Sequence, residues 1–398
     1  MYDFDKIINR RGSNCCKWDE PQEEGVIPLW IADMDFEAAP AIIEALRRRV
    51  DHGIFGYERV PESYYQAVID WFSRRHQWTI ERDWILYTIG VVPGISCVLK
   101  ALTLPGEKVL VQTPVYNCFF SSIANTGCLV EESPLRRQGD TYAIDFDDFE
   151  RRCADERVTV FLLCNPHNPS GRVWTPDELA RMNDICLRHD VRVVADEIHC
   201  ELVMPGYAYT PFAAVSDACR DNSITLNSPS KSFNIAGLQC ANVICKNPTW
   251  RRAVNRAINI NEVCDVNPFG PVALEAAYRQ GGDWIDALNQ YIWGNYQSLR
   301  AFFASELPRL EVIRLEGTYL AWVDITAVEL TSDEAAALLR REGRVMVNSG
   351  TLYGRRDGQG YLRINMACPR SLLMEGLRRI ARVLSQHIPD DSEHGCPM

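Results

Sequence analysis

Short apolar runs alternate with amphipathic stretches through the middle of the chain. The run 158–164 (VTVFLLC) is apolar on both faces, which predicts a fully buried strand. The stretch 175–190 predicts a helix, because Thr175 is a good N-cap, Glu178 completes a capping box and apolar residues then share one face. The run 191–196 (VRVVAD) predicts a second buried strand. Strand, helix and strand in this order indicate a parallel sheet.

The same pattern recurs at 84–88, 108–113 and 223–227, where an apolar run precedes a turn or a helix. In an open parallel sheet, ligands bind in the crevice beyond the carboxyl ends of the strands. If these strands share one sheet, the side chains that follow them converge at one edge. The residues just past the five predicted strands are Gly90, Tyr116, Asn165, Asp196 and Lys231.

The pattern changes near residue 285. The stretch 284–307 predicts one long helix, and the runs that follow it alternate as half-buried strands do, interleaved with helices. We therefore expect an α/β fold with a large domain at 50–285, built on a mostly parallel central sheet flanked by helices. A smaller α+β domain is expected at 286–398, joined by an irregular N-terminal segment, 1–49.

Composition and charge limit the function. The chain has 398 residues, a formal net charge of −11 and a pI of about 5.3, which argue against nucleic acid or anionic membrane as main partners. No run approaches the roughly 18 apolar residues of a membrane helix, and the N-terminus has no apolar signal region. The 15 scattered cysteines lack metal-ligand spacing and fit reduced thiols, so we expect a cytoplasmic protein without a metal site.

The stretch 228–238 (SPSKSFNIAGL) carries candidate chemistry. A lysine in a turn is usually a solvated surface charge. However, Lys231 is flanked by the hydroxyls of Ser228 and Ser230, and Gly237 would allow a close backbone approach. Hydroxyls, a turn and a cation suit a phosphate, and a partly desolvated lysine can attack a carbonyl to form a Schiff base.

The other converging residues each allow an ordinary interpretation beside a functional one. Asp196 is either a helix N-cap or a carboxylate that pairs with a pyridinium nitrogen. Asn165 lies in an ordinary loop or donates to a phenolic oxygen, and Tyr116 is a core aromatic or a stacking platform. The turn at Gly90 opens a helix that can bind an anion, and Arg363 is solvated or grips a carboxylate. Together these groups describe a pyridoxal phosphate (PLP) site.

Three motifs, CNPHNPSGRVW, VADEIH and SPSKSFNIAGLQ in that order, resemble fold type I PLP enzymes of the aminotransferase superfamily. The segments LWIADMDFEAAP, GVVPGI, DEIHCEL and SFNIAGLQ resemble more narrowly the bacterial cystathionine β-lyase-like branch, the C–S lyases that act on cysteine S-conjugates. The resemblance covers nearly the whole chain.

The resemblance implies a role for each site residue. Lys231 holds the cofactor and moves the Cα proton, Asp196 pairs with the pyridinium nitrogen, Asn165 donates to the phenolic oxygen and Tyr116 stacks on the ring. The phosphate is held by backbone and hydroxyl groups, and the substrate carboxylate is held by Arg363 with nearby backbone. The phosphate group comprises Gly90, Val91, Val92, Ser228 and Ser230, and the backbone beside Arg363 comprises Ala32 and Asp33.

Three further positions bear on the oligomeric state and on the branch of the family. Tyr57 matches a tyrosine that reaches the phosphate of the neighbouring subunit, which implies a homodimer with shared active sites. His199 stands where many aminotransferases have a tyrosine, and Gln239 where many have an arginine that binds the phosphate. Both departures agree with the lyase branch, and His199 is expected beside the cofactor.

The implied activity is α,β-elimination of L-cystathionine, L-cysteine or another cysteine S-conjugate to a thiol or sulfide, pyruvate and ammonia. An aminotransferase shares the steps up to removal of the Cα proton and is the nearest alternative. A PLP-binding regulatory protein without turnover is the alternative from another class.

Overall fold

The structure is a computed structural model that describes residues 2–21 and 23–389. Fourteen α-helices form within these residues. They are α1 Cys16–Asp19, α2 Pro40–His52, α3 Glu62–His76, α4 Val91–Leu102, α5 Asn117–Asn125, α6 Phe146–Cys153, α7 Pro176–Arg188, α8 Asp217–Asp221, α9 Pro229–Ser232, α10 Pro248–Ile260, α11 Gly270–Gln280, α12 Gly282–Glu306, α13 Ser332–Leu338 and α14 Arg370–Leu384.

The strands divide into a large sheet, a small sheet and two short pairs. They are β1 Ile27–Pro28, β2 Ile85–Thr88, β3 Lys108–Val111, β4 Leu129–Glu132, β5 Arg136–Gln138, β6 Thr141–Ala143, β7 Val158–Cys164, β8 Arg192–Asp196, β9 Ser223–Asn227, β10 Ala241–Ile244, β11 Glu311–Val312, β12 Leu320–Asp324, β13 Val345–Met346, β14 Asn348–Ser349 and β15 Tyr361–Asn365.

Within the described residues, seven strands form the large sheet in the order β2-β10-β9-β8-β7-β3-β4. The pairs from β9 to β4 are parallel, whereas β10 runs antiparallel to both β9 and β2. The five strands that the hydrophobic pattern predicts, β2, β3, β7, β8 and β9, therefore point the same way. Their carboxyl ends meet at one edge, as expected, and the α/β fold is confirmed.

The helix predicted after β7 forms as the sequence indicates. Thr175 caps α7 by accepting from the N–H of Glu178, and the Glu178 side chain accepts from the N–H of Thr175, which completes the capping box. The apolar face of α7 is buried against the large sheet; it comprises Leu179, Met182, Ile185 and Cys186. This packing fixes the loop between β7 and α7 above the carboxyl edge.

The N-terminal segment is more regular than the sequence interpretation allowed. The prediction of an irregular 1–49 is wrong, because α2 begins at Pro40 with Ile42 and Ala45 buried. Strand β1 pairs in parallel with β13, so this segment does pack against the C-terminal part of the chain, as predicted. The boundaries 50–285 and 286–398 stay a prediction.

The small sheet, in the order β11-β12-β15-β14 among the described residues, is buried on both faces rather than half-buried. Ala321 and Ile364, which are paired across β12 and β15, belong to the main apolar core. On the other face, Trp322 lies opposite Arg363 across β12 and β15 and stacks on Tyr361 at 5.0 Å between ring centroids. The alternation expected for an exposed face is therefore absent, because the second face meets the large sheet and the site.

Across the described residues, no helix combines the length and the apolar character that crossing a bilayer requires.

Candidate active site

A cavity of about 200 Å³ lies at the carboxyl edge of the large sheet. It is lined by residues from the segments that follow β2, β3, β7, β8 and β9, together with the N-terminal segment. The lining residues are Ala32, Gly90, Val91, Val92, Pro93, Tyr116, Cys164, Asn168, Asp196, Ile198, His199, Ser230, Lys231 and Ala236. The structure thus brings together nine of the fourteen predicted site residues; Asn165, Ser228, Asp33, Tyr57 and Arg363 do not line this cavity.

Lys231 lies in α9, the single helical turn that follows β9. Its Nζ donates a hydrogen bond to the carbonyl oxygen of Ala32 at 2.5 Å. Burial lowers the pKa of Lys231 to about 8, and the Arg363 charge adds to this effect, while Asp33 and Asp196 oppose it. A substantial neutral fraction near pH 8 gives this amine the lone pair that a nucleophile or a base needs.

Asp196 is the last residue of β8 and is 3% exposed. One carboxylate oxygen accepts the N–H of Ile198 at 3.1 Å. Burial raises the pKa of Asp196 to about 7, although the Ile198 N–H and the Lys231 charge pull it down. Because no ion pair compensates this carboxylate within the described residues, a protonated ring nitrogen would be a favourable partner.

The N-terminus of α4 forms one wall of the cavity. Gly90 precedes the helix in extended backbone, and the first-turn N–H groups of Val91 and Val92 have no partner within the helix. The helix lies close to the sheet, since a Cβ at Gly94 would come within 2.8 Å of Leu226 Cδ2. Ser230 also lines the cavity, and this helix N-terminus suits an anion such as phosphate.

His199 and Tyr116 supply neutral polar surfaces to the cavity. Burial lowers the pKa of His199 to about 3, with the Lys231 and Arg363 charges adding to the effect, so the ring is neutral. Its Nδ1 is buried and has no hydrogen-bond partner among the residues that the structure describes. Burial also raises the pKa of Tyr116 well above its ordinary value, so its hydroxyl keeps its proton.

Arg363 in β15 lies beside the cavity and is 3% exposed. Its Nη1 donates to Asn168 Oδ1 at 3.2 Å, its Nη2 donates to the Trp30 carbonyl at 2.8 Å, and its guanidinium lies 4.7 Å from the Tyr353 ring centre. Among the described residues it has no carboxylate partner, and its Nε is buried without an acceptor. A buried cation in this state favours an incoming carboxylate.

The prediction for Asn165 is corrected by the structure. Asn165 is fully buried, and its Nδ2 donates to Glu197 Oε1 and to the Thr210 carbonyl, both at 3.1 Å. With both amide hydrogens engaged, it has no donor left for a phenolic oxygen. Asn168, three residues later in the same motif, lines the cavity instead. The repeated Asn-Pro pair in CNPHNPSG is the signal that could have identified it.

Two further predictions need correction. The Ser228 hydroxyl donates to the Cys240 carbonyl at 2.6 Å and accepts the Ser230 N–H, so it caps α9 rather than facing the cavity. The Asp33 carboxylate pairs with Arg10 at 2.7 Å, and its N–H donates to Ile31, so it offers nothing to a substrate carboxylate.

Gly237 and Tyr57, two further predicted positions, lie outside the cavity. Gly237, expected to permit close approach of a ligand, has open space where a Cβ would stand. Tyr57 lies fully exposed at 103% and does not reach the cavity of its own chain.

The model of the class I and II aminotransferases matches residues 24–380. Cystathionine beta-lyase PatB of Bacillus subtilis (strain 168) is 41% identical, covering 96% of this chain and 100% of the relative. Protein MalY of Escherichia coli (strain K12) is 34% identical over 95% of this chain and 97% of its own length. The chain belongs to the class I and II aminotransferase family. The crystal structure of cystalysin from Treponema denticola, which contains a pyridoxal 5'-phosphate cofactor, superposes with a TM-score of 0.94 at 35% identity, covering 97% and 99% of the two chains.

The side chains of this family member fit pyridoxal phosphate. The uncompensated Asp196 carboxylate suits the ring nitrogen, the α4 N-terminus with Ser230 suits the phosphate, and Lys231 suits the aldehyde. The unpartnered Nδ1 of His199 can meet a polar group on the ring. Each polar wall of the cavity therefore has a counterpart on the cofactor.

Proposed function

We propose that this chain is a pyridoxal-phosphate-dependent carbon–sulfur β-lyase. It would eliminate the sulfur substituent of L-cystathionine, L-cysteine or another cysteine S-conjugate to give a thiol or sulfide, pyruvate and ammonia. The observation that carries the proposal is the low-pKa amine of Lys231 in one cavity with the uncompensated Asp196 carboxylate. The cystathionine beta-lyase name of a relative 41% identical over its whole length supports this reaction over others.

Each residue has a stated task in this reaction. Bound pyridoxal phosphate supplies an electron sink for the pair released when Cα loses its proton. Asp196 would hold a proton at the ring nitrogen, which keeps that sink effective. Lys231 would bind the cofactor and then, as a neutral amine, take the Cα proton. Arg363 would hold the substrate carboxylate with Asn168 beside it, fixing which bond at Cα faces Lys231.

The Ala32 and Ser230 positions complete the arrangement. The Ala32 carbonyl accepts from Lys231 Nζ, so this oxygen orients the amine. Ser230 and the free N–H groups of Val91 and Val92 would hold the phosphate. The Tyr116 ring would stack on the cofactor from the segment after β3.

Transamination is the second candidate, because the family model bears the aminotransferase name. A direct assay separates the two reactions. The purified protein is incubated with cystathionine or S-methylcysteine, with and without an added keto acid. Elimination predicts pyruvate and thiol in equal amounts without any acceptor, whereas an absolute requirement for the keto acid would refute the proposal.

We also propose a homodimer in which the exposed segment 53–60 of one protomer reaches the site of its partner. Ile54, Phe55 and Tyr57 are 66%, 51% and 103% exposed in the single chain. Three neighbouring large apolar side chains in water favour a protein contact. Size-exclusion chromatography with light scattering tests it: a mass near twice 45.3 kDa is expected, and a monomer that retains full activity contradicts it.

A cytoplasmic location is proposed from the cysteines. Every cysteine among the described residues is free, and most are buried. Reduced thiols in this number fit a reducing compartment.

A further inference from the structure

The carbonyl oxygen of Ala32 accepts two hydrogen bonds at once. Lys231 Nζ donates to it at 2.5 Å, and the hydroxyl of Tyr319 donates to it at 3.0 Å. Tyr319 comes from the segment that enters β12 of the small sheet, whereas Lys231 follows β9 of the large sheet. One backbone oxygen therefore joins the amine to a side chain that no motif in the sequence singled out.

Tyr319 is held firmly enough to fix that oxygen. It is fully buried, and burial raises the pKa of its hydroxyl well above the ordinary value, so the group remains a donor at every working pH. Its own carbonyl accepts the N–H of Met366 at 2.9 Å. The preceding Thr318 has φ +71°, an unusual conformation for a β-branched residue, and its N–H donates to Leu202 at 2.7 Å.

The segment that carries Ala32 is also fixed on both sides by side chains. Asn365 Nδ2 donates to the carbonyls of Ile31 and Asp33, at 2.6 and 2.7 Å, which bracket Ala32. Arg363 holds the Trp30 carbonyl. Because the neighbouring carbonyls have donors of their own, the Ala32 oxygen has little freedom to turn away from Lys231.

We propose that Tyr319 is a positioning residue that fixes the Ala32 carbonyl and, through it, the orientation of the Lys231 amine. This inference rests on the proposed role of Lys231. An amine that donates one N–H to a fixed oxygen has fewer directions open to its lone pair, and a proton transfer at Cα requires such an orientation. Tyr319 touches neither substrate nor cofactor in this role and acts only through the carbonyl.

The shared oxygen also sets how well the amine holds a proton. Charged and titratable groups that face Lys231 are Arg363, which favours the neutral amine, and Asp33, Asp196 and Cys118, which favour the cation when ionised. His199 also faces it, but its ring is neutral and adds no charge. A second donor on the Ala32 oxygen makes it a weaker acceptor for the ammonium form. Removing the Tyr319 hydroxyl should therefore strengthen the hydrogen bond to the cation and raise the pKa of Lys231.

The test compares Tyr319→Phe with Tyr296→Phe in the full chain. Tyr296 is a matched control, because it is equally buried and its hydroxyl also donates to a backbone carbonyl, that of Ile313 at 3.1 Å. The cofactor is removed, pyridoxal phosphate is added back, and its rate of capture is followed by absorbance from pH 6 to 10. Turnover with S-methylcysteine is measured on the reconstituted protein.

Tyr319→Phe is expected to move the midpoint of the capture profile upward by about 0.5 pH unit. It should also lower kcat about tenfold with KM within about twofold, and Tyr296→Phe should do neither. A midpoint that stays with wild type overturns the inference. A Lys231→Ala variant that captures the cofactor as wild type does would instead overturn the proposed function itself, so the two failures are distinguishable.

Discussion

Arg363 in the small sheet donates a hydrogen bond from Nη1 to Oδ1 of Asn168 in the loop after β7, over 3.2 Å. The bond joins this cation, which has no carboxylate partner in the described part of the chain, to the wall of the cavity. One group proposed to hold the substrate carboxylate thus lies in the small sheet and the other in a loop of the large sheet, so their spacing depends on how the two sheets pack.

Asn168→Ala should weaken substrate binding, since the Arg363 guanidinium loses the side-chain acceptor that orients it. We expect KM to rise about tenfold with a smaller change in kcat and in melting temperature. Steady-state kinetics on one cysteine conjugate measures this, with Asn165→Ala as the matched variant from the same motif.

Asn165→Ala should act on stability instead. It removes the amide that donates to Glu197 and Thr210, and leaves those buried acceptors with fewer donors. A loss of about 1–3 kcal/mol in the free energy of unfolding is expected from urea denaturation. If Asn165→Ala raised KM more than Asn168→Ala did, the assignment of Asn168 would be wrong.

Arg363→Lys should retain the positive charge but lose the planar guanidinium group with its several N–H donors. A single ammonium cannot hold Asn168, Trp30 and both oxygens of a carboxylate together. We expect kcat/KM to fall about 100-fold, mostly through KM, while the cofactor absorbance is unchanged. Wild-type KM in Arg363→Lys would show that the carboxylate binds elsewhere.

Asp196→Asn tests the buried carboxylate through pH. Burial raises the folded pKa of Asp196 from 3.8 to about 7. A raised pKa stabilises the cofactor-free protein below pH 3.8, and this contribution is lost as the pH rises to about 7. Asparagine has no carboxyl group to ionise, so the variant should not lose stability over this pH range. Without cofactor it should be more stable than wild type at pH 8 by about 2 kcal/mol.

The same variant should bind pyridoxal phosphate at least about tenfold more weakly, because the ring nitrogen loses its carboxylate. Urea denaturation at several pH values and a cofactor titration measure the two effects. Equal cofactor affinity in wild type and Asp196→Asn would mean that this carboxylate does not contact the ring.

Gly317→Ala should destabilise the contact between the two sheets. A Cβ there would lie 2.9 Å from Val173 Cγ2, 3.0 Å from Pro166 Cβ and 3.1 Å from the Leu202 carbonyl oxygen. A cost of about 1–3 kcal/mol is expected in thermal or urea denaturation. Gly237→Ala is the control, because open space surrounds that position; an equal loss in both variants would contradict the packing account.

The strands and the converging edge could be predicted from sequence because their signals are local. The run 158–164 is apolar on both faces, Asp196 ends the next strand, β8, and Lys231 follows β9 within four residues. The N-terminal cap of α7 could be predicted for the same reason, because it is made by Thr175 and Glu178 alone, three residues apart.

The details that failed depend on partners distant in sequence. Asp33 is engaged by Arg10, and Ser228 by the Cys240 carbonyl, contacts that only the folded chain defines. Asn165 and Asn168 stand in near-identical Asn-Pro pairs, so the fold decides which one reaches the cavity. Tyr319 carries no motif, because its role depends on meeting a carbonyl 287 residues away.

The most direct test of the account is the release of pyruvate and thiol from S-methylcysteine by wild type and by Lys231→Ala, both loaded with pyridoxal phosphate and without a keto acid. Wild type should release the two products in equal amounts. Lys231→Ala should turn over at least about 1,000-fold more slowly, because within 2–21 and 23–389 no other amine lines the cavity to take the Cα proton. Wild-type turnover by Lys231→Ala would contradict the central role of this lysine.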